Sequence, residues 1–247
     1  MDDSVLAIIP ARSGSKGMSD KNVTLLGGYP LLAYTIIAAQ LSSRINRVIL
    51  STDSEEYAII ARRMGAEVPF LRPTEFAGDK SPDLDFMRHA MEWVKDHEDD
   101  MPELWVHLRP TTPLRDPAVI DRAIDWFIEH PKATALRSGH LASESPFKWL
   151  LRDGEGYFRP VKDGLTAEDV NEPRQGFPDV YIPDGYVDVV RASHVLQSNT
   201  MHGEHMLVFE SPSCTEVDNA GDFDYLEYQL QQTGSPLLAQ LRQSEVF

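Results

Sequence analysis

Apolar segments of two kinds alternate along most of the chain. Short runs rich in β-branched residues, such as residues 5–9, have the length of buried strands, and the longer segments between them have a helical pattern. Polar caps, first-turn prolines and early acidic residues precede the longer segments, as at 54–56 and 116–117. The pattern predicts strands near 4–9, 46–51, 66–70, 103–108 and 133–139. It predicts helices near 31–42, 54–64, 83–97, 117–129, 221–232 and 235–244.

This alternation predicts one α/β domain over residues 1–247. We expect a mostly parallel sheet between helices on both faces, as in Rossmann-like three-layer α/β/α proteins. The alternation stops at residues 140–184, where loop-forming residues are mixed with scattered aromatic ones. Aromatic side chains in such a lobe require burial, and a small core of their own, a ligand pocket or a partner subunit would provide it. Regular structure resumes at 186–190.

Composition and charge restrict the class of partner. The 247 residues contain 23 Lys and Arg against 39 Asp and Glu, a net charge of −16. Such a surface repels nucleic acid and anionic membranes, so an anionic substrate requires a local cationic pocket. A single cysteine, Cys214, cannot form an intrachain disulfide, and Asp2 and Asp3 stand where a signal peptide carries positive charge. These features predict a cytoplasmic protein without a membrane segment.

The loop after the first predicted strand carries three cations, Arg12, Lys16 and Lys21, among small residues. In open α/β sheets such a loop lies at the carboxyl edge, where backbone N–H groups and cationic side chains converge on phosphate oxygens. Neither common nucleotide fingerprint, G-x-x-x-x-G-K-[ST] or G-x-G-x-x-G, fits the loop. A polyanion site is the prediction, and a generic surface loop is the alternative.

An acidic counterpart lies near the end of the chain, at Glu216 and Asp218. In an extended backbone both side chains lie on one face, and their carboxylate oxygens can hold Mg²⁺. Solvated acids are the alternative there, and Asp222 suits a helix cap better than a metal ligand.

Two further residues could reach a nucleotide. Arg72 follows the third predicted strand, with a structural salt bridge as the equal alternative. Ser81 lies at a predicted helix N-terminus, where N–H groups suit an anion or a hydroxyl. Simple capping is the alternative for Ser81 and the favoured role of its neighbour Asp83.

Several motifs together resemble the acylneuraminate (CMP-sialic acid) cytidylyltransferase family, which includes synthetases for related 2-keto sugar acids. The first is Pro10-Ala11-Arg12-x-Gly14-Ser15-Lys16-Gly17-x-x-x-Lys21-Asn22. The others follow in the family's order, at residues 26–31, 48–53, 65–73, 108–115, 173–175 and 217–223.

The resemblance implies transfer of CMP from CTP to a 2-keto sugar acid, with Mg²⁺ bound and pyrophosphate released. It implies that Arg12, Lys16 and Lys21 stabilise the triphosphate. The nucleotide would also be bordered by Pro10, Ala11, Ser13, Gly14 and Asn22. It implies that the acceptor is bordered by Arg174, Gln175 and Tyr186. The lobe at 140–184 would extend across a homodimer interface and contribute to the neighbouring active site.

The sequence departs from the family at the acceptor side. Arg109 stands where many members have Gln, and its fixed charge favours an anionic group of the acceptor. Arg115 could serve the phosphates or support the loop. Residues 184–188 read Asp-Gly-Tyr-Val-Asp where many members have a small Asn-Gly-Ala stretch, which predicts a narrowed or re-lined acceptor pocket.

Three alternative functions remain open at this point. The acceptor could be a sugar 1-phosphate, with GTP or CTP as the nucleotide. An NAD-dependent oxidoreductase would show the same alternation of strands and helices, but the glycine fingerprint is missing. A non-catalytic nucleotide-binding module is the third.

Overall fold

The computed structural model describes residues 4–14 and 18–244. Its strands, in chain order, are β1 (Val5–Pro10), β2 (Leu25–Leu26), β3 (Tyr29–Pro30), β4 (Arg47–Ser51), β5 (Leu104–His107), β6 (Ala135–Leu141), β7 (Leu150–Arg152), β8 (Phe158–Pro160), β9 (Tyr181–Arg191) and β10 (Met206–Glu210). Its α-helices are α1 (Leu31–Leu41), α2 (Glu55–Arg63), α3 (Asp83–His97), α4 (Pro117–Ile128), α5 (Ala192–Ser198), α6 (Ala220–Thr233) and α7 (Pro236–Gln243).

The central sheet has the strand order β10-β6-β9-β5-β1-β4. The β1, β4 and β5 strands run parallel, as do β6 and β10, whereas β9 is antiparallel to both of its neighbours. The predicted α/β class with a mostly parallel sheet is therefore confirmed. The carboxyl ends of β1, β4 and β5 meet at one edge, where parallel sheets bind ligands.

Helices cover both faces because the buried strands are apolar on both sides. Leu6 and Ile8 of β1 pack with α3 and α5, whereas Ala7 and Ile9 pack with α1, α4, α6 and α7. Ile8 is fully buried, so truncating it to Ala would cost about 2–5 kcal/mol of stability. In the described residues, no helix has the length and apolar character to cross a membrane.

The strand predicted at 66–70 is wrong. Only Glu67 forms a bridge there, with Ile49, and Pro69 has no N–H to continue the pairing. The short α5 and the edge strand β10 were not predicted, because polar residues around Gly203 indicated only a loop.

The lobe at 140–184 does not bury its own aromatic residues. It contains the β7–β8 hairpin and several single helical turns. Tyr157 and Phe158 are 70% and 71% exposed, and Trp149 is also exposed. Phe147 and Phe177 stack with ring centroids 6.0 Å apart. One stacked pair is not a core, so an enclosed core for the lobe is not observed.

Candidate active site

A cleft of about 390 Å³ lies at the carboxyl edge of β1, β4 and β5. It brings together seven residues that the sequence analysis assigned to substrate binding: Pro10, Arg12, Lys21, Asn22, Arg72, Ser81 and Arg109. Residues separated by nearly 100 positions thus meet at this edge of the sheet. Lys16 lies outside the described residues.

The loop after β1 is held in place by neighbouring polar groups. The Asn22 side-chain amide donates to the Arg12 carbonyl oxygen at 3.0 Å. The backbone N–H and the hydroxyl of Ser13 donate to the Asp53 carboxylate, each at 2.8 Å. Gly14 has a φ of +64°, a conformation that glycine adopts without strain. Asp53 is thus a loop-positioning residue that the sequence analysis missed, although it ends the quoted segment 48–53.

The acidic segment at 216–218 contacts the cationic loop directly. The Lys21 ammonium donates to the Val217 carbonyl oxygen at 2.7 Å. The Val217 N–H donates in turn to the carbonyl oxygen of Thr111, a residue that lines the cleft. The Asp218 side chain is exposed, whereas the Glu216 carboxylate accepts the N–H of Gly185. The cationic loop and the acidic segment therefore lie side by side.

The acidic segment alone is not a complete metal site, so a cation bound there would need further ligands from substrate. Within residues 4–14 and 18–244, no group of three or more His, Cys, Asp or Glu side chains could hold a metal ion. Mg²⁺ is commonly bound through one or two carboxylates plus substrate phosphates, which matches Asp218 with Glu216. Asp222 is a helix-capping residue, since its carboxylate accepts the N–H groups of Asp218 and Asn219 at 2.7 and 2.9 Å.

Arg72 contributes a buried positive charge to the cleft wall. Its guanidinium donates to the Ser51 carbonyl oxygen at 2.6 Å and to the Ser51 hydroxyl at 3.0 Å, and it lies over the Phe86 ring. Burial lowers the pKa of Arg72 to about 10, so it stays charged at neutral pH. No carboxylate in the described part of the chain forms a salt bridge with it, so the salt-bridge alternative is not observed.

Two side chains at the rim are already engaged within the chain. Arg12 forms a salt bridge with Asp79 at 3.0 Å. The Ser81 hydroxyl donates to the Glu75 carbonyl oxygen and accepts the Gly78 N–H, both at 3.1 Å. Ser81 thus stabilises the turn before α3, and nucleotide binding by its hydroxyl requires exchange of these bonds.

Arg109 is held between two carboxylates. Its guanidinium donates to Asp188 at 2.8 Å and to Asp83 at 2.9 Å. Burial alone would raise the pKa of Asp188, but His107 and Arg109 lower it to about 2. Burial would likewise raise the pKa of Asp83, and the same two neighbours lower it. Both acids are ionised at neutral pH, so the charge of Arg109 is already balanced within the chain, and its preference for an anionic acceptor stays a prediction.

The roles of Asp83 and Asp188 in the structure were not predicted from the sequence. Asp83 is the first residue of α3, and the helix has no side-chain cap, so the favoured capping role is wrong. Asp188 is fully buried in β9 and was missed, although an acid within an apolar strand was the available signal. Arg115 supports the loop, because its buried guanidinium donates to the carbonyl oxygens of Arg109 and Gly185.

The residues expected to border the acceptor lie away from this cleft within one chain. The Arg174 guanidinium donates to the carbonyl oxygens of Ala142 and Ser143, each at 2.7 Å. Arg174 and Gln175 line a separate cavity of about 600 Å³ in the lobe. Tyr186 is buried, and its hydroxyl accepts the N–H of Asp116. The structure does not bring these three residues to Arg109.

Comparison with known proteins finds relatives that are named as cytidylyltransferases or CMP-sugar acid synthases. An N-acylneuraminate cytidylyltransferase from Escherichia coli is 33% identical over 230 residues, which covers 91% of this chain and 51% of the relative. A CMP-N,N'-diacetyllegionaminic acid synthase from Campylobacter jejuni is 27% identical over 226 residues, covering 91% of this chain and 94% of the relative. The chain thus spans about half the length of the E. coli protein.

The fold of this chain is also similar to that of a solved structure. A CMP:2-keto-3-deoxy-manno-octonic acid synthetase complexed with CTP aligns with a TM-score of 0.69 and 14% identity, covering 93% of this chain and 99% of that one. Residues 6–146 match the family described as Cytidylyltransferase. With more than half of the chain matched, the protein belongs to the cytidylyltransferase family.

Proposed function

We propose that the protein transfers CMP from CTP to a sialic-acid-like 2-keto sugar acid and releases pyrophosphate. The observation that carries this proposal is the contact between Lys21 and Val217, which joins the cationic loop to the acidic segment at the edge of the sheet. Nucleotidyl transfer requires a binding site for a polyanion next to carboxylates that can bind a metal ion. The relatives' names indicate the nucleotide and the class of acceptor.

In the proposed reaction, a hydroxyl of the acceptor attacks the α-phosphorus of CTP in line, and the bond to pyrophosphate breaks. Arg12, Lys16, Lys21 and Arg72 bind the triphosphate and offset the negative charge that develops on the leaving group. Asn22 keeps the loop in shape through the Arg12 carbonyl oxygen. Asp218 and Glu216 would hold Mg²⁺, which when bound neutralises charge on the phosphate oxygens.

The alternative with a sugar 1-phosphate acceptor is less well supported. Its support includes the positive charge of Arg109, and that guanidinium already pairs with Asp83 and Asp188. A non-catalytic nucleotide-binding module would not need the acidic segment beside the cations.

We also propose a homodimer in which the lobe of one chain approaches the cleft of its partner. Exposed Tyr157 and Phe158 support this arrangement, because a lobe without a core of its own gains stability from burial against a second copy. The arrangement would bring Arg174 and Gln175 of one chain towards the acceptor of the other.

The proposal is tested by measuring pyrophosphate release for all pairs of four nucleoside triphosphates with ulosonic acids and sugar 1-phosphates, with Mg²⁺ or with excess chelator. We expect release only when CTP, Mg²⁺ and a ulosonic acid are present together. Equal turnover with GTP and a sugar 1-phosphate would establish the alternative, and turnover in excess chelator would remove the metal from the scheme.

A further inference from the structure

The loop after β1 is anchored at two points to the start of α2. At the first point, the backbone N–H and the hydroxyl of Ser13 donate to the Asp53 carboxylate. At the second point, the hydroxyl of Tyr57, in the first turn of α2, donates to the Asp20 carboxylate at 2.8 Å. The stretch of sequence between the two points includes Lys16. One short segment of the chain therefore holds both sides of the cationic loop.

Asp20 has a backbone conformation that residues with a side chain seldom adopt. Its φ is +53° and its ψ is 30°, in the left-handed region. Among the non-glycine residues that the structure describes, only Asn199 also has a positive φ, and Asn199 ends α5, where such a residue is common. Strain of this kind persists only where neighbouring groups hold the backbone, and it clusters at functional sites. The hydrogen bond from Tyr57 is such a restraint.

The conformation of Asp20 determines where Lys21 points. The Asp20 carbonyl oxygen accepts the N–H groups of Val23 and Thr24 at 2.9 and 3.1 Å, which closes the single helical turn that begins with Lys21. From this turn the Lys21 ammonium reaches the Val217 carbonyl oxygen at the cleft. If Asp20 relaxed to an ordinary φ, the turn would rotate and carry the ammonium away.

The Tyr57 hydroxyl is suited to hold a carboxylate in place. Tyr57 is buried, with 2% of the residue exposed, whereas Asp20 is exposed. Burial raises the pKa of Tyr57 and the hydrogen bond to Asp20 raises it further, so the hydroxyl stays protonated and donates at neutral pH. A hydrogen bond to a carboxylate is stronger than one between neutral groups. A fixed donor of the core thus restrains an exposed residue of the loop.

We propose that Tyr57 is a positioning residue for nucleotidyl transfer, which acts through Asp20 to hold the turn that carries Lys21. This inference rests on the proposed function and adds a residue outside the cleft on which the rate depends. A displacement of about 1 Å at a reacting group can cost about 100-fold in rate, so a small rotation of the turn is enough. Because Lys21 is expected to act on charge that develops during the reaction, loss of the anchor should lower kcat more than it raises the KM for CTP.

The test compares Tyr57→Phe, which removes the hydroxyl and keeps the ring, with Tyr34→Phe in the CTP-dependent pyrophosphate assay. Tyr34 is the matched control, because it is a fully buried tyrosine whose hydroxyl donates to the Leu26 carbonyl oxygen at 2.7 Å. We expect Tyr57→Phe to lower kcat about tenfold and to change the KM for CTP less than about twofold, whereas Tyr34→Phe should leave both constants within about twofold. In a Lys21→Ala background, Tyr57→Phe should lower kcat no further, because no ammonium is left to position.

Variants of Asp20 test the same anchor without disturbing the core, since Asp20 is exposed. Asp20→Asn keeps an acceptor oxygen and tolerates the left-handed conformation, so it should retain most of kcat. Asp20→Gly allows the conformation but loses the acceptor, so its kcat should fall as far as that of Tyr57→Phe.

Hydrogen–deuterium exchange of the peptide that contains Val23 and Thr24 gives a readout that does not depend on activity. The N–H groups of both residues bond to the Asp20 carbonyl oxygen. They should exchange about tenfold faster in Tyr57→Phe and in Asp20→Gly than in wild type or Tyr34→Phe.

The outcomes separate this inference from the proposed function. Faster exchange with an unchanged kcat in Tyr57→Phe would show a merely structural anchor, and unchanged exchange would show that Tyr57 does not hold the turn. A full further loss of kcat when Tyr57→Phe is added to Lys21→Ala would show that it does not act through Lys21. Each of these results overturns the positioning role while the proposed function stands. Failure of wild type to release pyrophosphate with any ulosonic acid would overturn the proposed function, and the role of Tyr57 in the rate with it.

Discussion

At the scale of single residues, the cations of the cleft differ in what they already bind. Arg109 has two carboxylate partners, whereas the Lys21 ammonium donates to one neutral carbonyl oxygen and keeps its charge uncompensated there. Lys21 is therefore better placed than Arg109 to respond to negative charge that develops during the reaction.

We expect Lys21→Ala to lower kcat about 100-fold while changing the KM for CTP much less, because a transition-state interaction is lost. Steady-state kinetics with varied CTP measures both constants. Lys95→Ala is the control, since Lys95 is exposed on α3 away from the cleft. An unchanged kcat with a large rise in KM would mean that Lys21 only binds the nucleotide.

The charged residues of the cleft could largely be predicted from the sequence, but which of them form salt bridges with each other could not. The cations of the loop were predicted because the loop follows β1, whereas Arg72 was predicted from a strand at 66–70 that does not form. Asp188 was missed because its partner Arg109 is 79 positions away, and only folding brings the two together.

At the scale of elements, hydrogen bonds at the N-terminus of α6 hold the acidic segment in place. Asn219 and Asp222 form a capping box, and the Asp222 carboxylate also holds the N–H of Asp218. These hydrogen bonds lower the pKa of Asp222. Its stabilising effect is therefore present above the ordinary pKa of an aspartate and is lost as the pH falls through the lowered value.

We expect Asp222→Ala to lower the Tm by about 2–4 °C at neutral pH, the usual result of losing a helix cap in a chain of this size. The difference from wild type should vanish in acid. The Mg²⁺ concentration for half-maximal activity should rise, because Asp218 loses its support. Asp224→Ala, an exposed acid in the same helix, is the control. An unchanged Tm, or a difference that persists in acid, would contradict this role.

At the scale of the whole molecule, the alternation of apolar segments predicted the layers but not the order of the strands. Sheet order depends on contacts between distant segments, and the antiparallel insertion of β9 between β5 and β6 has no local signal. The break at 140–184 was visible in the sequence. The exposed aromatic residues there are the basis of the homodimer proposal.

We expect light scattering to report twice the 27.8 kDa chain mass, with the lobe in the interface. Phe158→Asp should shift the population towards single chains and reduce activity, because a charge is placed in an apolar contact. Tyr228→Asp, a change at a 56% exposed aromatic residue outside the lobe, should do neither. Full activity at the single-chain mass would refute the dimer and the shared site.

The most direct measurement of the central claim is ³¹P NMR of the reaction of CTP with a ulosonic acid and Mg²⁺. Attack at the α-phosphorus predicts the loss of the three CTP resonances, the growth of one phosphodiester resonance, and the growth of a pyrophosphate resonance with twice its integral. Growth that requires the acceptor, and that falls in Lys21→Ala, would agree with the cleft as the reaction site. Formation of CDP and inorganic phosphate, or a rate that does not depend on the acceptor, would contradict nucleotidyl transfer by this protein.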